Sequence, residues 1–460
     1  MYAKDKAWLK KITERFALGC TRFEDIFKTG ARSNQGKARH YLNGLVQAPN
    51  GKRNLERMEE SVSEFDYDSA QHFISNSPWN HQAVYDRVAS ITNDYFKKKK
   101  DTCLLIDESG FEKKGKSSAG VARQYNGRQG KVDNCQVGVF AALSSGKEVV
   151  PVGAKLYLPD SWTDDPERCD KAKIPEDERD YKTKPELALE MIDHLLGNEV
   201  KFGWVGGDAL YGNNHTLRRS LDDRGITFVM DVSNDQHAYC KDPNPYMPEP
   251  TPGQGRPRKF FISDEKSASI AKLVESLPEN QWEKIKVRKA TKGTLKVLAT
   301  KMPLYFWDKE CDKAKKWVVI VTKNLDGTEV KYSVSNCLEL PLVRLAFMQR
   351  QRYWIEHSFE IAKSTCGLAD YQVRSWVGWH HHVAMVFMVM LFIMEEKRAA
   401  PGTCHLLSPT DIREMLIQFL PQRKKDPDEI FRQMEKRHIK RLKAQISQAK
   451  AKLKWEKELE

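Results

Sequence analysis

The chain has 460 residues, which is too long for one simple hydrophobic core and predicts about two to four domains. Hydrophobic residues make up 40% of it and charged residues 30%, an ordinary balance for a globular protein that argues against gross disorder. The net charge of +13 favours a polyanionic partner such as nucleic acid, although a merely soluble basic protein would have the same balance.

The cysteines and the apolar runs indicate in which cellular compartment the protein works. Nine cysteines are scattered without a close Cys-x-x-Cys pair, so we expect reduced thiols, no zinc site and a cytoplasmic protein. Residues 383–394 are uniformly apolar, but this run is too short to cross a bilayer. It predicts a buried core helix, and we expect no membrane contact.

Residues 1–100 predict a helical domain, because apolar residues recur at helical spacing without strand alternation. Interspersed Arg and Lys residues are compatible with a helix-turn-helix-like DNA reader, and a helical bundle of another purpose would look the same. A run of four lysines at 97–100 marks the boundary.

Residues 101–235 change to alternating strands and helices, which predicts a mixed sheet flanked by helices. The predicted strands are 104–107, 135–143, 149–158, 204–207 and 226–232, and the predicted helices are 184–196 and 216–223.

A Pro- and Gly-rich stretch then opens a region, 236–337, that we predict to be a β-rich insertion. Its predicted strands are 285–287, 295–298, 317–321 and 330–334. Residues 338–400 are predicted to resume the core with helices at 341–363 and 379–394. Residues 401–460 predict a basic helical C-terminal region, whose tail is either a solvated end or a contact for DNA or a partner.

Three carboxylates stand out along the core. Asp107 and Asp208 each close a strand-like apolar run, and Glu356 lies on a predicted helix far downstream. Carboxylates at the ends of neighbouring strands point oxygens into one crevice. Three of them can hold two hard divalent cations, and such a pair of ions catalyses phosphodiester cleavage and joining.

The helix with Glu356 carries two further charges on the same face, because Arg352 and Lys363 are four residues before and seven residues after it. A phosphate backbone along that face would explain both cations. An intrahelical Arg352–Glu356 ion pair would explain the spacing equally well.

Several blocks of the sequence, in order, are similar to those of bacterial insertion-sequence transposases of the DDE superfamily. The chain resembles in particular the cut-and-paste group with a Tyr-Arg-Glu-Lys signature. The blocks are DESGF at 107–111, GVARQY at 120–125, GKVDNCQV at 130–137, LPDSW at 158–162, TKPEL at 183–187, GDALYG at 207–212, RYWIEHSFEIAK at 352–363, GL at 367–368 and VRSW at 373–376.

The resemblance implies an α/β fold: a ribonuclease-H-like mixed-sheet catalytic core interrupted by a β-rich insertion, with an N-terminal helical domain and a helical C-terminal tail. It implies that Asp107, Asp208 and Glu356 form the catalytic, metal-binding triad for two Mg²⁺ ions, with Mn²⁺ as an accepted substitute. It further implies a homodimer on double-stranded DNA that binds terminal inverted repeats, cleaves them by hydrolysis and joins the ends to target DNA by transesterification.

The resemblance also implies DNA contacts. Arg352 and Lys363 match the signature Arg and Lys, which in the family lie along DNA. Gln349 stands where the family has its Tyr, and Tyr353, adjacent to the Arg, is the alternative. In relatives that form a DNA hairpin the insertion supplies a stacking Trp, for which Trp282, Trp307 and Trp317 are candidates, although core positions would suit them too.

Two rival functions remain at this stage. Residues 110–117 fit the P-loop pattern G-x-x-x-x-G-K-S/T after a strand, which would make a nucleotide hydrolase, but the residues that follow lack helical periodicity. On the preferred interpretation Lys113 and Lys116 face DNA or solvent. The other rival is a non-catalytic DNA-binding descendant of a transposase.

Three further polar features are predicted to lie outside the site. His380, His381 and His382 are consecutive and point in different directions on a helix. Asp231 is interpreted as a loop-facing residue at a strand end. Glu108 is expected to point away from Asp107, because neighbours on a strand alternate sides.

Overall fold

The N-terminal part of the protein is helical, as predicted. The structure is a computed structural model that describes residues 3–30, 32–127, 130–249, 259–290 and 293–459. Its first elements are α1 Ala3–Lys10, α2 Ile12–Thr21, the two-residue strands β1 Lys28–Thr29 and β2 Arg32–Ser33, α3 Gln35–Gln47, α4 Leu55–Ser61, α5 Tyr67–Ser75 and α6 His81–Phe96. Asn54, Asp66 and Asn80 begin three of these helices, because each side chain accepts a hydrogen bond from a backbone N–H of the first turn.

One large mixed sheet follows. It contains ten strands: β3 Thr102–Glu112, β4 Ala122–Asn126, β5 Lys131–Ser145, β6 Glu148–Leu156, β7 Trp204–Gly207, β8 Phe228–Val232, β11 Glu283–Ala290, β12 Gly293–Phe306, β13 Lys315–Asn324 and β14 Val330–Ser335. The strand order is β11-β12-β13-β14-β8-β7-β3-β5-β4, and β6 also pairs with β5. The pairs β3–β7 and β7–β8 are parallel, and the other pairs of this sheet are antiparallel.

The strands predicted for the insertion are present, but they do not form a sheet of their own. Strand β14 pairs antiparallel with β8, with Tyr332 opposite Val232 and Ser335 opposite Val229. The insertion therefore continues the central sheet on the β8 side, and the boundaries proposed at 236 and 337 do not separate two sheets. Two short strands of the same region, β9 His237–Ala238 and β10 Ala268–Ser269, pair with each other.

Helices α7 Asp160–Thr163, α8 Pro166–Lys171, α9 Lys184–Gly197, α10 Ala209–Gly212, α11 His215–Asp223 and α12 Ile270–Glu275 lie between the strands, with 3₁₀ turns at Glu176–Glu178 and Glu279–Gln281. Helix α9 begins in a capping box: Thr183 accepts from the Glu186 backbone, and the Glu186 carboxylate accepts from the Thr183 backbone.

The last strand is followed by α13 Leu342–Gln351, α14 Tyr353–Ser364, α15 Trp376–Ala399, a 3₁₀ turn at Gly402–Cys404, α16 Pro409–Phe419 and α17 Pro427–Leu459. The helix predicted for 341–363 is interrupted at the single residue Arg352, whose backbone angles remain helical (φ −52°, ψ −32°), so that α14 follows α13 directly. Residues after 401 include the helices α16 and α17, and α17 reaches the N-terminal helices through ion pairs such as Lys436–Glu59 at 2.8 Å.

Helix α15 is the central helix of the core. Among the described residues it is the one helix long and apolar enough to cross a membrane, yet 94% of its most apolar 18-residue window is buried inside the protein. It packs against β6, α5 and α6, so its apolar composition is explained by the core, as the sequence predicted. All nine cysteines are free, as expected.

Candidate active site

Strand β3 and its neighbours determine where Asp107 lies. The strand is buried from Thr102 to Asp107, but it continues to Glu112, so the prediction that Asp107 closes the strand is wrong. The long partner β5 causes this, because it pairs with β3 along the full length, with Asp107 opposite Phe140. On the other side β7 pairs only as far as Ile106, opposite Gly207. The sheet therefore opens beside Asp107.

Asp208 occupies the opening. It directly follows Gly207, as predicted, so the parallel register places it next to Asp107 at the carboxyl end of β7. Its side chain begins the short helix α10, with Oδ1 accepting a hydrogen bond from the backbone N–H of Leu210 at 2.9 Å. This contact fixes the carboxylate at the sheet edge.

Glu356 reaches the same place from the first turn of α14. The turn before it contains Arg352, whose guanidinium lies among the carboxylates. Its Nη1 is 3.5 Å from Asp107 Oδ2, its Nη2 is 2.5 Å from Glu356 Oε1, and its Nε is 3.0 Å from Asp231 Oδ2. The predicted Arg352–Glu356 ion pair is therefore present, and it is one part of a larger cluster.

These groups line one open cavity of about 820 Å³. Its walls include all three predicted triad residues, the two signature cations and further polar side chains: Asp107, Asp208, Glu356, Arg352, Lys363, Glu108, Asp231, Tyr125, Asn234, Lys331 and Tyr332. The fold thus brings together side chains that are up to 249 positions apart, from Asp107 to Glu356.

The two aspartates of the cavity have raised pKa values, mainly because they are buried. Burial, followed by the nearby Asp208 carboxylate, raises the pKa of Asp107 to about 8, against the opposing effect of Arg352. Burial and the Glu108 carboxylate also raise the pKa of Asp208. A further cation at this point would be stabilised by both carboxylates.

The donor set fits a hard divalent cation, because carboxylate oxygens are the ligands that Mg²⁺ prefers. Among the residues that the structure describes, however, no three His, Cys, Asp or Glu side chains are grouped closely enough to hold a metal ion in this conformation. Arg352 lies between the candidate ligands. A metal bound by Asp107, Asp208 and Glu356 would therefore compete with the guanidinium, which already pairs with Asp107 Oδ2 and Glu356 Oε1.

Two residues of this cavity were excluded by the sequence interpretation. Asp231 lies on β8, which runs parallel to β7 with Met230 opposite Gly207, so Asp231 reaches the same edge as Asp208. Glu108 also faces the cavity, and its carboxylate accepts hydrogen bonds from Lys184 Nζ at 2.8 Å and from the Tyr211 hydroxyl at 3.3 Å. A third acidic residue at the end of a third core strand was the signal for Asp231.

The predicted DNA contacts fall into different environments. Lys363 lines the cavity, with its ammonium 5.5 Å from the centre of the Phe111 ring, and Tyr353 is 42% exposed. Lys116 is exposed on the loop after β3. Lys113 is half-buried, 3.6 Å from the centre of the Tyr371 ring, and burial lowers its pKa to about 8.

The DNA-stacking role predicted for Trp317 is wrong. This side chain is 1% exposed and packs between Phe228 and Phe306, with ring centres 5.4 and 5.6 Å away. His215 and Arg218 of α11 also lie against its ring, 5.5 and 5.0 Å from its centre, and a base could not reach it. Trp282 and Trp307 are half-buried.

Gln349, at the position of the family's Tyr, is a buried structural residue. Its amide accepts a hydrogen bond from Thr322 Oγ1 at 2.6 Å and donates one to Ser333 Oγ at 2.8 Å. It therefore ties α13 to β13 and β14 and does not face the cavity, whose lining it does not join.

The fold contradicts the P-loop interpretation of residues 110–117. Strand β3 continues through Gly110 to Glu112, and the next element after it is strand β4. A phosphate-binding loop must open a helix.

The three consecutive histidines contact separate groups, as predicted: His380 the Tyr85 hydroxyl, His381 the Trp79 carbonyl and His382 the Gly367 carbonyl.

Comparisons with known proteins agree with this geometry. A sequence model of the family described as DDE superfamily endonuclease matches residues 22–294, a range that includes Asp107 and Asp208 and ends before Glu356. The chain is 27% identical over 172 residues to a probable transposase for insertion sequence element IS701 from Microchaete diplosiphon. That match covers 36% of this chain and 40% of the relative, so the chain spans less than half the length of the curated relative it matches.

Among solved structures, the chain is similar to the NurA nuclease from Sulfolobus solfataricus. The similarity covers 59% of this chain and 85% of that one, at 11% identity and a TM-score of 0.24. A TM-score this low does not show that the two proteins share a fold.

Proposed function

This chain belongs to the DDE superfamily endonucleases, as its sequence predicted, and on that basis we propose that it is a DNA transposase of an insertion sequence. It would bind the terminal inverted repeats of the element, cleave them by metal-dependent hydrolysis and join the ends to target DNA by transesterification. The observation that supports this best is the convergence of Asp107, Asp208 and Glu356 on one cavity together with Arg352 and Lys363.

The proposed triad would hold the metal ions. Asp107 on β3, Asp208 at the start of α10 and Glu356 on α14 supply oxygen donors. These donors suit two Mg²⁺ ions, or Mn²⁺ in their place. When bound, the ions would activate the attacking water or 3′ hydroxyl and stabilise the leaving oxygen. The backbone N–H of Leu210 orients Asp208 for this task, and the buried position of Asp107 limits the access of bulk water.

Cations around the cavity would position the DNA. Lys363 lies on α14 beside Glu356, and Lys116 and Tyr353 are exposed for contact with a backbone that enters the cavity. Contacts to phosphate fix the register of a duplex without reading its sequence. End recognition would therefore come from elsewhere, and we assign it to the helical residues 1–100.

The wider organisation is proposed on the same basis. Residues 101–235 and 338–400 would form a ribonuclease-H-like core, with 236–337 as the insertion that extends its sheet. Because both ends of an element must be handled together, we propose a homodimer on DNA as the active form.

Strand cleavage tests the proposal. The substrate is a duplex with the inverted repeats that flank the coding sequence of this chain, incubated with Mg²⁺ or EDTA. We expect Mg²⁺-dependent cuts at the repeat boundary by the wild type, loss of these cuts in Asp208→Ala, and retained cuts in the control Asp164→Asn, which alters an exposed carboxylate outside the cavity.

One observation favours a second function, a non-catalytic DNA-binding descendant: Arg352 already neutralises the candidate ligands, and they are not grouped for a metal in this conformation. The same assay separates the two. Tight binding to the repeats without cleavage under Mg²⁺ and Mn²⁺ would favour the descendant, and cuts that survive in Asp208→Ala would contradict the proposed site.

A further inference from the structure

Asp231 is the closest carboxylate partner of Arg352 outside the proposed triad. Its Oδ2 lies 3.0 Å from Arg352 Nε, and both side chains line the cavity with Asp107 and Glu356. Unlike those two, Asp231 is not one of the proposed metal ligands. The contact therefore leaves the two Nη atoms of Arg352 for other partners and holds the guanidinium from its Nε side.

A buried chain of hydrogen bonds fixes Asp231 itself. Its Oδ1 accepts from Ser333 Oγ at 2.6 Å, and Ser333 lies directly opposite Asp231 in the β14–β8 pairing. Ser333 Oγ in turn accepts from Gln349 Nε2 at 2.8 Å. Ser333 is 0% and Gln349 3% exposed, so the support behind Asp231 is shielded from water. Asp231 is consequently oriented by the sheet and by α13, independently of any metal.

We infer that Asp231 is a positioning residue that keeps Arg352 beside the metal site when Asp107 and Glu356 release it. The inference rests on the proposed function, since it presumes that Asp107 and Glu356 hold metal. Without Asp231 the guanidinium would have Asp107 and Glu356 as its remaining carboxylate partners. It would then compete with a metal ion for the same oxygens, and the metal would bind less tightly.

Mn²⁺ binding in the absence of DNA, followed by electron paramagnetic resonance, measures that competition directly. We expect Asp231→Asn to weaken Mn²⁺ binding about tenfold, the lower end of what loss of an outer-shell partner costs. Arg352→Gln removes the competitor, and in this background the further loss caused by Asp231→Asn should be less than about threefold, since the two positions then no longer interact. An equal loss in both backgrounds would overturn the inference, because Asp231 would then act as a ligand itself.

Glu108→Gln is the matched control. It removes the same charge from the same cavity. Glu108, however, pairs with Lys184 and not with Arg352. If Glu108→Gln weakened Mn²⁺ binding as much as Asp231→Asn in the wild type and, like it, had less than about a threefold effect in the Arg352→Gln background, net charge alone would explain the effect and the inference would fail. Ser333→Ala, which removes the hydrogen bond behind Asp231, should act in the same direction as Asp231→Asn and more weakly.

A second measurement needs no metal. In metal-free protein labelled with ¹⁵N-arginine, the Nε–Hε resonance of Arg352, assigned with Arg352→Lys, should exchange slowly with water and should broaden or shift in Asp231→Asn. A resonance unchanged by that substitution would overturn the inference alone. If the wild type bound no Mn²⁺, or if Asp208→Asn bound it as tightly as the wild type, the metal site of the proposed function would instead be overturned. The two failures are therefore distinguishable.

Discussion

Arg352 Nη2 lies 2.5 Å from Glu356 Oε1, one helical turn further along the chain, so the third proposed metal ligand is held by an internal cation. Arg352 also reaches Asp107, at 3.5 Å, and thereby joins a residue of the central sheet to a residue of α14. The cluster holds the site together in the absence of metal. It also makes the role of Glu356 testable.

We predict that Glu356→Gln lowers strand cleavage more than about 100-fold, because a neutral amide is a poor ligand for a hard cation. Binding to the terminal repeats, measured by gel shift, should change little. Glu360→Gln is the control one turn later on the same helix, where the side chain is 74% exposed, and it should retain cleavage. Cleavage by Glu356→Gln at the wild-type rate would remove Glu356 from the site.

Local sequence was enough to predict Asp208 and the segments around it. Four residues of a buried strand precede it, and an Asp directly after such a strand readily caps the following helix. The helical N-terminal region and the helix predicted for 184–196, observed as Lys184–Gly197, were similarly visible from local patterns.

The errors concern which elements become neighbours. Asp231 joins the site because β8 lies parallel to β7. Trp317 is buried because Phe228 and Phe306 of neighbouring strands pack against its ring. The four strands of the insertion were predicted as strands, but composition does not reveal which sheet a strand will join. These features depend on pairings between distant segments, which a single sequence does not display.

The proposed phosphate contact at Lys363 can be tested through salt dependence. If this ammonium neutralises one phosphate, Lys363→Ala should weaken binding to the terminal repeats and reduce the slope of log K against log salt by about 1. Lys201→Ala is the control, because Lys201 is exposed three residues before β7, on the opposite side of the strand from Asp208. Equal slopes for wild type and Lys363→Ala would assign Lys363 a structural role.

Two fully buried arginines should respond oppositely to replacement by Met. Arg218 is 0% exposed, its three guanidinium nitrogens have no hydrogen-bond partner among the described residues, and burial lowers its pKa to about 9. Its guanidinium lies 4.9 Å from the centre of the Phe306 ring. Arg218→Met should therefore raise the free energy of unfolding by about 1–3 kcal/mol, the usual cost of unsatisfied buried polar groups.

Arg53 is equally buried but has partners, since its Nη1 lies 3.0 Å from Asp370 Oδ2 and its Nη2 donates to the Ser364 carbonyl at 2.9 Å. Arg53→Met leaves Asp370 without its cation and should lower the free energy of unfolding by about 3–5 kcal/mol. Thermal and urea unfolding of both variants check the signs. Destabilisation by Arg218→Met would show that its contacts with the aromatic rings outweigh the lost hydration.

The pH dependence of stability should report His382. Its Nδ1 accepts from the Tyr41 hydroxyl at 2.9 Å and its Nε2–H donates to the Gly367 carbonyl at 3.1 Å, an arrangement that suits the neutral ring. Burial lowers the pKa of His382 to about 3, from an ordinary value near 6.5. The unfolded chain therefore binds this proton first, and the stabilisation present above pH 6.5 is lost as the pH falls from 6.5 towards 3.

At pH 5.5 that one imidazole should lower the free energy of unfolding by about 1.4 kcal/mol relative to pH 7.5. Urea unfolding of the wild type and of His382→Gln at both values isolates the effect from other titrating groups, because the variant should lose less stability on acidification by about this amount. His405→Gln, which alters an exposed histidine, should follow the wild type. If His382→Gln and the wild type lost equal stability, His382 would already carry its proton in the folded protein, and the neutral hydrogen-bond arrangement with Tyr41 would be contradicted.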